Sequence, residues 1–399
     1  MNFPAKTELS NRIEKLYKTL KIMDNDWDFI FITDKINQYY FTGTIQDGVL
    51  VLNSAGDIMY FVRRSFERAK TECPFSDCIF PIASYRDIHD KLGKNTRKIY
   101  LETEIVTYAA LNRMGKYFDT SPSNIASLDK TLRKLRAVKS PYELSRMKES
   151  GRQHKILMED IIPSLLREGI NEAELTAKIY EKMIGLGYHG LSRFGSFQTE
   201  MIVGQIGFGE NSVYPTNFDG PGGMRGMSPA VPIVGDKNRR LKKGDLVFVD
   251  IGYGVDGYHS DRTQVYMYQA RVPKEAADYH RKCMQIQKDV SKELKPGNIP
   301  SDIYTLATCG LDEDFTQGFM GMGNERVKFL GHGIGLQIDE YPVIAKGFDE
   351  PLEENMVIAV EPKRRIPGFG TVGAEDTYIV TKCGGECITG GEKEIIELY

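Results

Sequence analysis

One stretch limits the fold more than any other. In LVFVDIGYGVDGYHSDRTQVYMY (246–268) an apolar strand runs into Asp250, and Gly252, Gly254 and Gly257 then let the chain reverse. Residues 257–268 return as the paired strand of 245–253, so the hairpin brings Asp250 and Asp261 to one spot. Three later segments carry the same signature of a polar group at a strand end or a glycine-rich turn. They are His332 in FLGHGIGL, Glu361 closing MVIAVEPKRR, and Glu375 in VGAEDTYIVT. A glutamate closing an apolar strand needs a partner, either a metal ion or an arginine, because burial of an unpaired charge is costly. Taken singly, each of these residues reads as an ordinary turn or strand-end group. Together they form four carboxylates and one imidazole, a donor set suited to divalent Mn, Fe, Co or Zn. Four packed carboxylates repel unless cations balance them, and two divalent ions would do so.

The remaining histidines, His89, His154, His189, His259 and His280, are dispersed, so a metal site in this chain is built mainly from carboxylates.

The elements around this core are legible from their patterns. Residues 1–20 form an amphipathic helix, with Ile13, Leu16, Tyr17, Leu20 and Ile22 on one side. Strands follow at 27–33, 49–53, 57–62 and 98–102 with helices between them, which predicts an α/β domain over 1–135. Ser140, Pro141 and Glu143 supply an N-cap, an N1 proline and a capping-box acid, opening a helix to about 166; a second helix spans 171–186. Beyond 191 the chain turns to glycine-rich loops and strands, including FDGPGGMRG (218–226). Helices are expected at 274–294 and 300–314, and strands at 327–338, 356–366 and 371–381. This second domain, 136–399, reads as α+β, with a weak internal repeat of helix pair then hairpin.

Composition removes several classes. With 52 basic and 55 acidic residues the formal charge is −3, which gives no electrostatic reason to bind nucleic acid or an anionic membrane. No apolar run approaches the roughly 20 residues that span a bilayer. The start lacks a signal-peptide core, and six cysteines are too few to staple the chain, so a cytoplasmic protein with reduced thiols is expected.

The order and spacing of the five residues resemble the pita-bread metallopeptidases (M24), in the prolidase and aminopeptidase P branch. That branch carries D-x-G…G-Y-x-x-D-x-T-R, then G-H-G-x-G-L, E-P and E-D/N-T. Here these stand as DIGYGVDGYHSDRTQ, GHGIGL, VEP and AEDT, with intervals of eleven, 29 and 14 residues between Asp and Asp, His and Glu, and Glu and Glu. LRAVKSPYELSRMKESG (135–151) is similar to the family's domain junction, and NQYYFTG (37–43) to its N-terminal domain. The resemblance implies an α/β creatinase/prolidase-like N-terminal domain followed by an α+β pita-bread catalytic domain. It implies two divalent ions per chain, with Asp250 on one, Asp261 and Glu375 bridging, and His332 and Glu361 completing the other. Glu361 would shuttle the proton for hydrolysis of the imide bond before proline in a short peptide, by hydroxide held between the metals. A homodimer is implied as well.

Three positions depart from the pattern. A histidine usual in the loop at 209–223 falls near Tyr214 to Thr216, and the one usual seven residues after His332 is Asp339. Lys363 stands where glycine is common, two residues after Glu361. By strand alternation Lys363 would face the metals and could clamp a substrate carboxylate, and its alternative is a surface lysine. Arg364 and Arg365 read as solvated, His189 as a loop histidine, and Cys383 and Cys387 as structural. Asp339 would suit a cationic or zwitterionic small molecule, or act as a base. A creatinase- or ectoine hydrolase-like C–N hydrolase, or a dimethylsulfoniopropionate lyase-like enzyme, is therefore the alternative on the same fold, and a non-catalytic binding protein is a third reading.

Overall fold

The computed structural model describes residues 4–24, 26–93, 98–195, 200–391 and 393–399, with the side chain of Glu200 outside the description. The chain divides into two compact units, Met1–Arg136 and Ala137–Tyr399.

In the first unit the apolar runs 27–33, 49–53, 57–62 and 98–102 become central strands of a six-stranded sheet. Its order is Ile79–Pro81, Ile58–Val62, Gly48–Asn53, Phe29–Ile32, Ile99–Leu101 and Ile125–Ser127. The three strands at the far end, from Phe29 onward, run parallel, and the 29–32, 48–53 and 58–62 strands form an antiparallel meander. Phe31, Val51, Phe61, Ile99 and Leu101 pack on one face against Ile88 and Met114 from the helices and Phe118 from the turn that follows. The first helix runs Lys6–Met23 and buries Ile13, Leu16 and Leu20, but Ile22 is exposed, because at 3.6 residues per turn it falls on the side of the helix opposite Ile13.

In the second unit the capping box at Ser140 and Glu143 forms as expected, and the helix Pro141–Ile156 continues through one π-type turn, Leu157–Ile161, to Leu165. The next helix is Glu172–Gly185. The hairpin follows as Leu246–Val255 and Tyr258–Tyr268, in a four-stranded sheet ordered Ile396–Leu398, Tyr258–Tyr268, Leu246–Val255, Gly204–Phe208. A second helix pair, Lys274–Glu293 and Pro300–Thr308, precedes a second antiparallel pair, Phe329–Gly333 and Glu340–Ala345. The predicted 300–314 helix stops at Thr308, and only Glu313–Thr316 is helical after it. The second pair belongs to a five-stranded sheet ordered Glu340–Ala345, Phe329–Gly333, Val357–Val360, Asp376–Thr381, Gly384–Cys387.

Strand alternation divides the hairpin between two cores. Val247, Val249 and Ile251 pack with Leu157, Met158, Ile162 and Ile179 of the first helix pair. Leu246, Phe248, Val265 and Met267 pack with Cys283, Ile286 and Val290 of the second pair and with Ile358 and Val360 of the other sheet. Asp250, Asp261 and Thr263 continue that second face, at the end where its apolar packing stops. The site is therefore the polar terminus of the core between the two sheets.

Candidate metal centre

In the hairpin register Asp250 pairs with Thr263, and Asp261 with Gly252. The two aspartates are thus diagonal neighbours on one face. Gly252 leaves room for its neighbours here: a methyl group on it would lie 2.6 Å from Ile338 Cδ1 and 2.7 Å from Ser192 Oγ, and both side chains would have to shift. Arg262, one residue on, points the other way and pairs with Glu159 and Asp376.

His332 is brought in by the second sheet, where it pairs with Ala359. The flanking glycines act through close approach of strands. A methyl group on Gly331 would meet the Ala359 oxygen at 2.3 Å, and one on Gly333 the Tyr341 oxygen at 2.3 Å. The ring's Nδ1 sits 3.1 Å from the Gly333 oxygen, which leaves Nε2 facing the site, 3.4 Å from Glu361 Oε1.

Glu361 and Glu375 both lie at breaks in strands. Val357–Val360 ends at Glu361-Pro362, and the chain resumes as Lys363–Ile366 in a two-stranded ribbon with Gly370–Gly373. Glu375 lies between that ribbon and Asp376–Thr381, bridged to Thr263. The strands expected at 356–366 and 371–381 are thus each two strands, interrupted where the carboxylates enter.

All five residues converge. Asp261, His332 and Glu375 offer ligand atoms within 4.8 Å of one another. Glu375 Oε1 is buried and has no hydrogen-bond partner, while Oε2 accepts from Thr263 Oγ1 at 2.8 Å. An orphaned buried carboxylate oxygen beside an aspartate and an imidazole fits a divalent ion at this point. The neighbouring position is different. Lys363 is fully buried and donates to Asp250 Oδ2 at 3.0 Å, Glu361 Oε2 at 2.7 Å and Glu375 Oε2 at 2.7 Å. The side chain faces inward, but its ammonium is engaged by the chain's own carboxylates, and it is not among the residues lining the cavity.

The electrostatics follow from burial and from this lysine. Burial pushes the Asp250, Asp261 and Glu375 carboxyls up, Glu375 to about 8; Glu375 and Asp250 push Asp261 further, well above the carboxylate range. Burial opposes ionisation of Glu361 too, but Lys363 and His332 outweigh it and hold that carboxyl below its ordinary value. Burial disfavours a charged His332, and Glu361 overcomes this, raising the imidazole to about 9.

A cavity of about 270 Å³ opens onto these groups. Phe194, Met201, Val203, Phe218, Phe329, Ile338 and Val343 form its apolar wall, and Asp219 and Asp339 are additional carboxylates on it. Asp339 accepts from the Gly195 N–H at 2.5 Å, and burial raises its carboxyl. His189 is absent from the lining. Its Nδ1 accepts from the Gly257 N–H and its Nε2 lies 2.7 Å from the Leu191 oxygen, so it holds a loop, as expected.

Arg364 and Arg365 correct an expectation. Both are buried rather than solvated, because main-chain carbonyls satisfy them. Arg364 donates to the oxygens of Phe315 and Asp314 and lies 3.4 Å over the Tyr279 ring. Arg365 donates to Pro221 and Gly222 oxygens at 3.2 and 2.6 Å, fastening the loop that carries Phe218 and Asp219 to the site. Gln205, which donates to Asp250 at 3.1 Å, and Thr377, whose hydroxyl accepts from the Asp261 N–H, also went unread. Thr263 carries a signal in retrospect: it lies two residues after Asp261 and so shares its face.

A two-unit chain whose second unit gathers acidic residues and one histidine between two sheets has the architecture of a metallopeptidase, and comparison with known proteins agrees. Residues 145–382 match the model of metallopeptidase family M24, and residues 12–138 that of the creatinase/prolidase N-terminal domain. The chain belongs to metallopeptidase family M24. Over 387 residues it is 26% identical to the Xaa-Pro dipeptidase of Pyrococcus furiosus, covering 96% of this chain and 99% of that protein. It is 32% identical over 279 residues to the putative dipeptidase YkvY of Bacillus subtilis, covering 70% and 68% of the two chains. In fold it is similar to the Xaa-Pro dipeptidase from Bacillus anthracis (TM-score 0.78, 24% identity, covering 98% of this chain and all of that one). The prolidase from Pyrococcus furiosus is similar too (TM-score 0.75, 24% identity, covering 94% and 100%). The protein is a metal-dependent enzyme of the Xaa-Pro dipeptidase-like kind.

Proposed function

We propose that the chain hydrolyses the imide bond before proline in short peptides, dipeptides above all. The observation that carries this is the meeting of Asp261, His332 and the unpartnered Glu375 Oε1 at the floor of a small, largely apolar cavity. A divalent ion held there would supply Lewis acidity toward a carbonyl oxygen and toward water. The chain's own residues do the rest. Phe194, Phe218 and Val343 offer an apolar surface to a pyrrolidine ring and its neighbouring side chain. Asp339, fixed by the Gly195 N–H, is the residue we assign to holding the peptide's ammonium, where a histidine is usual in the branch. Glu361 Oε1, beside His332 Nε2, is the atom we assign to carrying the proton toward the leaving nitrogen. Lys363 contributes from beneath the cavity, by offsetting part of the negative charge of Asp250, Glu361 and Glu375.

We take the ion to be manganese, cobalt, iron or zinc, which the oxygen-rich set with one imidazole supports. We take the assembly to be a homodimer, on family resemblance. We take the compartment to be the cytoplasm: the six cysteines are unpaired, and no helix among the described residues is long and apolar enough to cross a membrane. The acidic pair Asp219 and Asp339 also suits the cation of a small zwitterion, which keeps a C–N hydrolase or C–S lyase as the second reading.

A substrate panel separates the two. With Mn2+ present, Xaa-Pro dipeptides should be cleaved faster than Xaa-Pro tripeptides, and Xaa-Ala dipeptides hardly at all. A metal-loaded protein that cleaves none of them but turns over a betaine-like or guanidino compound would replace the peptidase reading with the second.

A further inference from the structure

We infer that this chain carries a single divalent ion per chain, held by Asp261, His332 and Glu375, and that the Lys363 ammonium stands in for the second cation. The inference rests on the metalloenzyme reading above and departs from the two-ion centre that family resemblance implies. Its basis is the position of one side chain. The Lys363 Nζ lies 2.7 to 3.0 Å from carboxylate oxygens of Asp250, Glu361 and Glu375, oxygens that a second ion would need. Two cations cannot share them at hydrogen-bonding and coordination distance without strong repulsion.

The fold is shaped to put the lysine there. Lys363 opens the ribbon strand Lys363–Ile366 and pairs with Gly373. Gly373 has a φ of +148°, and a methyl group on it would come within 2.6 Å of Lys363 Cα and 2.9 Å of its Cγ. Only glycine leaves room for the lysine stem to run inward along the ribbon. A buried ammonium is tolerated only when its hydrogens are satisfied, and here three carboxylates satisfy them. Asp250 has one further side-chain donor, Gln205. On this account Asp250 is a partner of Lys363 and not a metal ligand.

The test is a metal count on the full-length protein. Stripped protein is equilibrated with Mn2+, desalted, and measured for manganese per chain and by electron paramagnetic resonance. The expected wild-type result is one Mn2+ per chain with the resolved hyperfine pattern of an isolated ion. Lys363→Gly should bind two, with the broadened signal of an exchange-coupled pair. Its unfolding temperature without metal should fall below wild type and recover on adding Mn2+, because three buried carboxylates then lack a cation. Two coupled ions in the wild type, or one ion in a folded Lys363→Gly, would overturn the inference and leave the metallopeptidase reading standing. No ion in the wild type would remove both. The wild-type count decides even if the variant does not fold.

Discussion

The two sides of the carboxylate cluster share Glu375 and have opposite fittings. On one side Asp261, His332 and Glu375 converge, with Glu375 Oε1 buried and unpartnered. On the other, Asp250, Glu361 and the second oxygen of Glu375 are all hydrogen-bonded to one buried lysine. The first side is a donor set that fits a divalent ion. The second already holds a covalently attached cation, which offsets part of its charge and polarises far less than a metal ion. One buried lysine therefore alters what chemistry its half can supply, and the five-residue motif does not register it.

Breaking each half separately sharpens this contrast. Asp261→Ala should lose both the ion and turnover, by more than the roughly 100-fold that removing an outer-shell partner of a metal costs. Asp250→Asn should keep the ion, with affinity for Mn2+ within roughly tenfold of wild type, because it leaves Lys363 bonded to the two glutamates. Equal loss of manganese in the two variants, read by equilibrium dialysis, would show that both aspartates are ligands and dissolve the contrast.

A smaller effect concerns the segment that carries His332. The ring of His259 lies between the Gly335 oxygen and the Arg193 N–H, and burial holds it down to about 3. A histidine whose folded value lies below its unfolded value of about 6.5 adds stability that is complete above pH 6.5. That stability is lost as pH falls from about 6.5 toward 3. Denaturant unfolding should show a decline of up to about 1.4 kcal/mol per pH unit from this group. His259→Phe should be less stable at pH 7.5 and show a shallower decline. An unchanged slope would mean that other groups set the acid limit.

Much of the site was legible because its polar residues stand out against the strand patterns that carry them. Asp250, Glu361 and Glu375 stand at or inside apolar runs, Asp261 returns on the paired strand and His332 lies among glycines, and a buried charge at such a place needs a partner. Many strand and helix positions in both units followed from periodicity, but the expected 300–314 helix stops at Thr308 and the expected 327–338 strand at Gly333, where polar and glycine-rich segments take over. What could not be read was set by contacts distant in sequence. Strand parity alone left Lys363 with two directions, since Pro362 ends one strand and the lysine begins another in a different ribbon. Arg364 and Arg365 looked solvated because their partners are carbonyls of the 220–222 and 314–315 segments. Gln205 and Asp219 belong to segments whose sequence carries no metal-site signature, and only the fold brings them to the cavity.

The central claim is that this is a metal-dependent hydrolase of Xaa-Pro dipeptides. The most direct measurement is the rate of Xaa-Pro dipeptide hydrolysis by the chelator-stripped full-length protein as Mn2+ is titrated back, with Asp261→Ala alongside. The account predicts no turnover without metal, recovery to a plateau in the wild type, and none in the variant. Turnover that persists in chelator, or survives in Asp261→Ala, would contradict it.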